Sequence, residues 1–372
     1  MNLVKVIYGL ILLPMSLNAT PLSSAVANCP IGQFCKVNMS NLTPSIIDAT
    51  NQTIITGYAS KAAWDNVNSR FYFVGGGHLT CVKFVTYDDA SDKWTSVVPP
   101  WAPCPNPGNF FYHSYQHNTF DPVSQRLYVR RFYGGFADVY DVGTQSWSVT
   151  ASQAEVTVQV SGGLEYFPDI DKVVHFGIEN STFGALWAYE KNNNSWSQIG
   201  VSNSYATGSY DNFAVYSTKH HFLMFGGGGS SNIFKVDALG IVSPLTSAPL
   251  VINDATPNGT ITTADPVSGN LLVIDASGTI HELNLSSSAK GDWGVLSVKA
   301  PFVNATSGGG VYGVVAAQMA NYGVIGFLVC GGLAYCSGNS SPQFYIYKHK
   351  QGTGVPIPVD LPPAAPKNLV VN

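Results

Sequence analysis

A unit of about fifty residues repeats along this chain, and a repeat of that length restricts it to stacked or ring-shaped architectures. The units align on a Tyr or Phe followed about seven residues later by Trp. The first has Gly75-Gly76-Gly77, then Tyr87-Asp88-Asp89 and Lys93-Trp94. The second has Gly134-Gly135, Tyr140-Asp141 and Ser146-Trp147; the third keeps Tyr189-Glu190 and Ser195-Trp196 without the glycines. Trp94, Trp147 and Trp196 are spaced 53 and then 49 residues apart. The fourth unit has Gly226 to Gly229, Phe234 and Asp237, and lacks the Trp. The fifth is degenerate, with strand-like runs at 270–275 and 280–285 closed by Asp292-Trp293. The sixth has Gly331-Gly332 and Phe344-Tyr345-Ile346-Tyr347.

Each unit reads as three or four strands. In the second, residues 114–120 form a strand, 121–125 a turn with Asp121 and Pro122 at the bend, and 126–132 the next strand. A third strand spans 137–140, a turn 141–145 and a fourth strand 147–150. The glycines permit positive φ and close backbone approach. The Tyr and Trp are large enough to fill the wedge between neighbouring sheets.

These residues resemble the kelch repeat, with a Gly-Gly pair after the second strand and Tyr and Trp at this spacing. The resemblance spans roughly residues 60 to 350 and implies an all-β, six-bladed β-propeller, four strands to a blade around a central channel. The sixth unit has no clear fourth strand before Gly352, so a strand near residues 35–41 is expected to complete it and join the chain ends, as kelch propellers commonly do. A seventh blade within 240–310 is the alternative.

Composition agrees with a strand-rich chain. Charged residues are 11% of the 372 and aromatic residues 12%, with 37 Gly and 22 Pro. Disordered chains need the reverse balance, and helical bundles are rich in Ala, Glu, Lys, Leu and Arg. A net charge of −4 with 18 basic residues argues against a nucleic-acid partner.

Lys5 followed by an apolar run over 6–15 reads as a secretion leader, too short to span a bilayer, with a cleavage site at Ala25-Val26-Ala27. The expected organisation is a leader over 1–27, a propeller over 28–355 and a Pro-rich tail over 356–372 that resembles the opening of a fibronectin type III module. The mature protein is expected to be monomeric, extracellular or periplasmic, and free of membrane once the leader is removed. The mostly apolar stretch 311–329 reads as strands because of its glycines, Gln318 and Asn321. Six cysteines fall into three local couples, Cys29–Cys35, Cys81–Cys104 and Cys330–Cys336, read as disulfides on proximity. About ten N-x-S/T sequons occur, among them Asn38, Asn41, Asn180, Asn258 and Asn304.

One part of the chain gathers His, Tyr and Arg. The first unit's second strand ends near His78, and the second unit's first strand begins at Tyr112-His113-Ser114, so both are expected at one mouth of the channel. By strand alternation His113, Tyr115 and His117 share a face, and Arg130 and Arg131 follow beside Tyr133. These residues admit a packing role or a recognition mouth for a glycan or an extracellular protein, with Tyr115, Arg130 and Tyr133 contacting the ligand. They also admit a lyase acting on a uronate polysaccharide. There His78, Tyr112, His113, His117 and Arg131 are the acid, base and charge-holding candidates.

Tyr112-His113 is similar to a pair in copper radical oxidases of the galactose oxidase family. That activity is set aside, because those enzymes need a Tyr–Cys crosslink and a further His on a C-terminal domain. No cofactor or metal is expected. His220-His221 on a strand over 219–225 would point to opposite faces, and His175 reads as ordinary surface or core. Asp88-Asp89 and Asp169-Ile170-Asp171 read as turns, Gly226 to Gly229 lacks the Lys of a phosphate loop, and no G-x-S-x-G occurs.

Overall fold

A computed structural model describes residues 19–47, 55–76, 81–102, 113–131, 135–152, 162–179, 183–200, 211–254, 259–302, 313–330 and 341–350. The chain opens with helix α1 (Pro21–Asn28), strand β1 (Gln33–Val37) and the short helix α2 (Pro44–Ile47). Blade 1 is β2 (Ala63–Asp65), β3 (Arg70–Gly75), β4 (Lys83–Asp88) and β5 (Lys93–Val97). Blade 2 is β6 (Asn118–Asp121), β7 (Arg126–Arg130), β8 (Ala137–Asp141) and β9 (Ser146–Val149). Blade 3 is β10 (Gly163–Phe167), β11 (Lys172–Glu179), β12 (Phe183–Glu190) and β13 (Ser195–Ile199). Blade 4 is β14 (Asn212–Ser217), β15 (Phe222–Gly227), β16 (Ile233–Val236) and β17 (Val242–Pro244). Blade 5 is β18 (Ile261–Ala264), β19 (Leu271–Ile274), β20 (Thr279–Asn284) and β21 (Asp292–Lys299). Blade 6 is β22 (Val314–Met319), β23 (Val324–Val329) and β24 (Gln343–Lys348), with β1 as its outermost strand.

All six sheets are antiparallel, and each blade's first strand touches the first strands of its two neighbours, so these strands ring the axis. The protein is a six-bladed β-propeller. The stretch 240–310 holds the outer strand of blade 4 and all of blade 5, so the described residues contain no seventh blade. The closing strand lies at Gln33–Val37, with Phe34 opposite Tyr347 and Val37 opposite Phe344.

The second strands are nearly continuous apolar runs, as in Phe71-Tyr72-Phe73-Val74, because each blade is sandwiched between two others and must bury both faces. Aromatic pairs fill the wedges between blades. Trp94 is 2% exposed and packs on Phe71, Tyr87 and Phe344 of blade 6. Phe84 reaches Tyr140 and Trp147 of blade 2 at 4.7 and 5.3 Å, and Phe176 meets Phe225 at 4.7 Å.

At the lower face, buried aspartates close the first hairpins. Asp65 Oδ1 accepts from the Val67 N–H at 2.9 Å, Asp121 Oδ1 from Val123 at 2.9 Å and Asp265 Oδ2 from Ser268 at 2.7 Å.

Cys29 and Cys35 form a disulfide across the α1–β1 connection. Cys81 and Cys330 are also disulfide-bonded, whereas Cys104 and Cys336 lie outside the described residues. The expected cleavage site lies inside α1, whose Leu22 is fully buried in the core shared with blades 6 and 1. Lys348 Nζ donates to the Val26 carbonyl at 3.0 Å, which adds a polar tie to the same helix. The tail 356–372 lies outside the described residues, and no described helix is long and apolar enough to cross a membrane.

Candidate functional site

Connections between second and third strands, and between successive blades, leave from one face, here the upper one. On that face short lead-ins precede the first strands and stitch the blades together. Tyr115 N–H donates to the Tyr58 carbonyl at 2.7 Å, and Ser60 N–H to the Tyr115 carbonyl at 3.0 Å. Leu164 N–H reaches the Gln116 carbonyl at 3.0 Å, and Ala316 N–H reaches the Ser60 carbonyl at 2.9 Å.

Among the described residues, ten that are not glycine have positive φ. Seven of them (Ser69, Asp92, Gln125, Gln145, Asp171, Asn194 and His221) sit in hairpin turns, where such a residue is ordinary. The other three are Tyr58 (φ 54°), Tyr115 (φ 32°) and Asp211 (φ 65°), all on upper lead-ins. A bulky side chain in this region is strained by about 1–3 kcal/mol, so the surrounding contacts must impose it.

Tyr115's conformation interrupts the strand expected over 114–120; regular pairing begins only at Asn118. The alternating residues nevertheless remain neighbours. Tyr58 stacks on His113 with 4.0 Å between ring centres. His113 Nδ1 lies 2.9 Å from the Tyr115 hydroxyl, and the Tyr115 and His117 rings are 5.9 Å apart.

Behind them, fully buried His117 and His175 approach within 6.4 Å, and Arg130 Nη1 donates to His175 Nδ1 at 3.1 Å. A guanidinium only donates, so His175 carries its proton on Nε2. Gly162 makes room for that ring, since a Cβ there would lie 2.2 Å from His175 Nε2. Burial, then the Arg130 charge, lowers His117 to about 3; the same causes hold His175 well below the imidazole range. Burial brings Arg130 down to about 9.

Arg131 projects the other way. Its guanidinium holds Asp138 through two bonds of 2.7 and 2.6 Å and lies over the Trp101 and Phe136 rings. His78, Tyr112 and Tyr133 lie outside the described residues. His175, expected as ordinary surface or core, is fully buried, and its place beside Arg130 arises from blade 2 packing on blade 3. The two histidines expected on a strand lie instead in the β14–β15 turn, where positive φ at His221 aims Nδ1 at Asp169 Oδ1, 2.9 Å away.

Below this cluster polar side chains cross the channel. Gln116 Nε2 donates to Asp254 Oδ2 at 2.6 Å and to the Thr262 carbonyl at 3.1 Å, from blade 2 to blade 5. Asp254 also accepts from Thr260 and Thr262 hydroxyls at 2.6 and 2.7 Å and from Ser60 at 3.3 Å. Burial pushes Asp254 up to about 6 against those bonds. Burial and the Asp254 charge push Asp211 to about 7. Lys61 Nζ spans from blade 1 to Glu165 Oε2 at 2.7 Å and to the Leu164 and Ala214 carbonyls at 2.6 and 3.0 Å. Together these groups cross-link the lead-ins and first strands of blades 1 to 5 around the channel.

No family model matches the chain, and no curated protein matches it. Among solved structures it is similar to a protein of unknown function from Bacteroides thetaiotaomicron. That match has 10% identity and a TM-score of 0.50, and covers 87% of this chain and 74% of that one. It is also similar to virginiamycin B lyase from Staphylococcus aureus, with 12% identity and a TM-score of 0.47 over 87% and 90% of the two chains. A copper-bound fungal alcohol oxidase of the AA5 family matches at 12% identity and a TM-score of 0.45, over 88% and 76%. At such identities the likeness is one of fold.

Proposed function

We propose that this chain is a secreted, kelch-type recognition propeller that binds a glycan at the upper mouth of its channel. The observation that carries the reading is the backbone strain at Tyr58 and Tyr115, the two tyrosines of the Tyr58–His113–Tyr115 contact, with a third strained residue, Asp211, on another upper lead-in. The chemistry suits a sugar: aromatic rings offer a stacking face, while imidazole, hydroxyl and carboxyl groups offer hydrogen bonds to ring hydroxyls. The leader-like N-terminus and the Cys29–Cys35 disulfide support secretion. The test is a glycan array with wild type, Tyr58→Ala and His113→Ala. A glycan bound by wild type and lost in both variants, at unchanged melting temperature, is expected. Binding that is absent or insensitive to both substitutions removes the reading.

The His113–Tyr115 hydrogen bond favours a second reading, β-elimination on a uronate polysaccharide. His113 would take the proton α to the carboxyl and Tyr115 would protonate the departing glycosidic oxygen. The check is the ultraviolet absorbance of the unsaturated uronate product. A rise abolished in His113→Ala supports the lyase, and no rise with a panel of acidic polysaccharides removes it.

A further inference from the structure

We propose a second, separate ligand site at the lower mouth, a cavity of about 540 Å³ that takes a neutral saccharide of one or two rings. All six blades line it, chiefly through the lower ends of their first strands and the turns that follow. It is distinct from the upper cluster, because its lining includes none of Tyr58, His113, Tyr115, His117, Arg130 and His175. Its volume lies within the range of small-molecule sites, about 300–1,000 Å³.

Neutrality follows from how the charges in its wall are used. The three protons of Lys61 go to Glu165, Leu164 and Ala214, and Glu165 Oε1 accepts from Thr119 at 3.0 Å. The two oxygens of Asp169 are taken by the Tyr216 hydroxyl at 2.7 Å and by His221 at 2.9 Å. An ionic ligand would lose its hydration and meet no open countercharge.

The wall nevertheless offers hydrogen bonds. The side chains of Gln318 and Thr263 have no hydrogen-bond partner among the described residues. Trp64, pinned by its Nε1–H to Asn321 Oδ1 at 2.7 Å, and Tyr216 supply fixed apolar edges. Apolar faces combined with unengaged amide and hydroxyl groups match a pyranose, which is apolar across its ring faces and polar around its rim.

The test is calorimetric titration of the full-length protein with glucose, galactose, mannose, cellobiose and lactose, with glucuronate and glucosamine as charged counterparts. At least one neutral sugar is expected to bind saturably at millimolar concentration or below. Removing the amide in Gln318→Ala should weaken it about fivefold, and Ala320→Trp, at the mouth, should block it. Ala320→Trp is scored only if its melting temperature matches wild type; otherwise Gln318→Ala decides. Persistence of the binding in His113→Ala assigns it to the lower chamber. No saturable binding, preference for a charged sugar, or loss only in His113→Ala overturns the proposal. The last of these would leave the upper-mouth reading standing.

Discussion

Asp211 and Glu282 are both buried carboxyls, and their surroundings move them in opposite directions. At Asp211 burial and the neighbouring Asp254 charge raise the value from 3.8 to about 7. Between those two pH values the folded chain keeps a proton that the unfolded chain has lost, so this contribution to stability falls as pH rises from about 4 to about 7. Asp211→Asn removes that slope, so the variant should gain on wild type from pH 5 to pH 8 in urea unfolding. A difference equal at both pH values would sink the assignment. At Glu282 burial also disfavours charge, but bonds from His349 at 2.8 Å and Asn270 at 2.6 Å, with the charges of His349 and Lys350, outweigh it and hold the group at about 2. The stabilisation is present above the ordinary value of 4.5 and is lost as pH falls toward 2. Glu282→Gln should therefore be less stable than wild type at pH 7, by roughly 2–3 kcal/mol, and should approach it near pH 2. Parallel acid-denaturation curves would contradict this. Neither behaviour was legible in the sequence, because each arises between blades: Asp254 follows Asp211 by a whole blade's strands, and His349 reaches Glu282 from blade 6.

Among elements, the repeat was legible because each blade must solve the same wedge problem with large rings. The wedges are unequal, however. Trp94 and Trp147 both lie on the outer strand of their blade, but Trp94 on β5 is buried among Phe71, Tyr87 and Phe344, whereas Trp147 on β9 is only half-buried. Trp94→Ala should cost roughly 3–5 kcal/mol and Trp147→Ala only about 1–2. Thermal melts of the two variants check the order, and equal losses would show that the half-buried Trp147 is as fully packed as Trp94. The degenerate fifth blade had a signal of its own, since Asp265-Pro266-Val267-Ser268 repeats Asp121-Pro122-Val123-Ser124, and both aspartates cap a first hairpin. The strand over 114–120 was overextended because alternation assumes regular φ, which Tyr115 breaks. The Arg130 partner of His175 has no signal in the sequence, because strand alternation gives a face and not the neighbouring blade. The lower chamber left no trace because its lining is scattered a few residues per blade over all six blades, with no motif in any one of them.

For the whole molecule the decisive event is closure of the ring, and the N-terminal segment performs it. β1 completes blade 6 on β24, while Asn41 pairs both its amide groups with the Trp94 backbone at 2.9 Å, tying the same segment to blade 1. Helix α1 belongs to this closure. Thr20 caps it by accepting from the Ser23 N–H at 3.1 Å, Leu22 is fully buried, and Cys29 is bonded to Cys35 of β1. Cleavage after Ala27 would leave β1 and the disulfide but remove Leu22 from the seam between the last blade and the first. Losing that side chain alone should cost about 1.5–3 kcal/mol. The burial of Leu22 therefore predicts that an exported chain is cleaved at or before Thr20, leaving α1 with the mature protein, rather than after Ala27. N-terminal sequencing of the exported protein should find a start no later than Thr20, and a chain engineered to begin at Asn28 should melt at a lower temperature than one beginning at Ala19. A native N-terminus at Asn28, with the two forms melting together, would mean that α1 is dispensable and that β1 alone closes the ring.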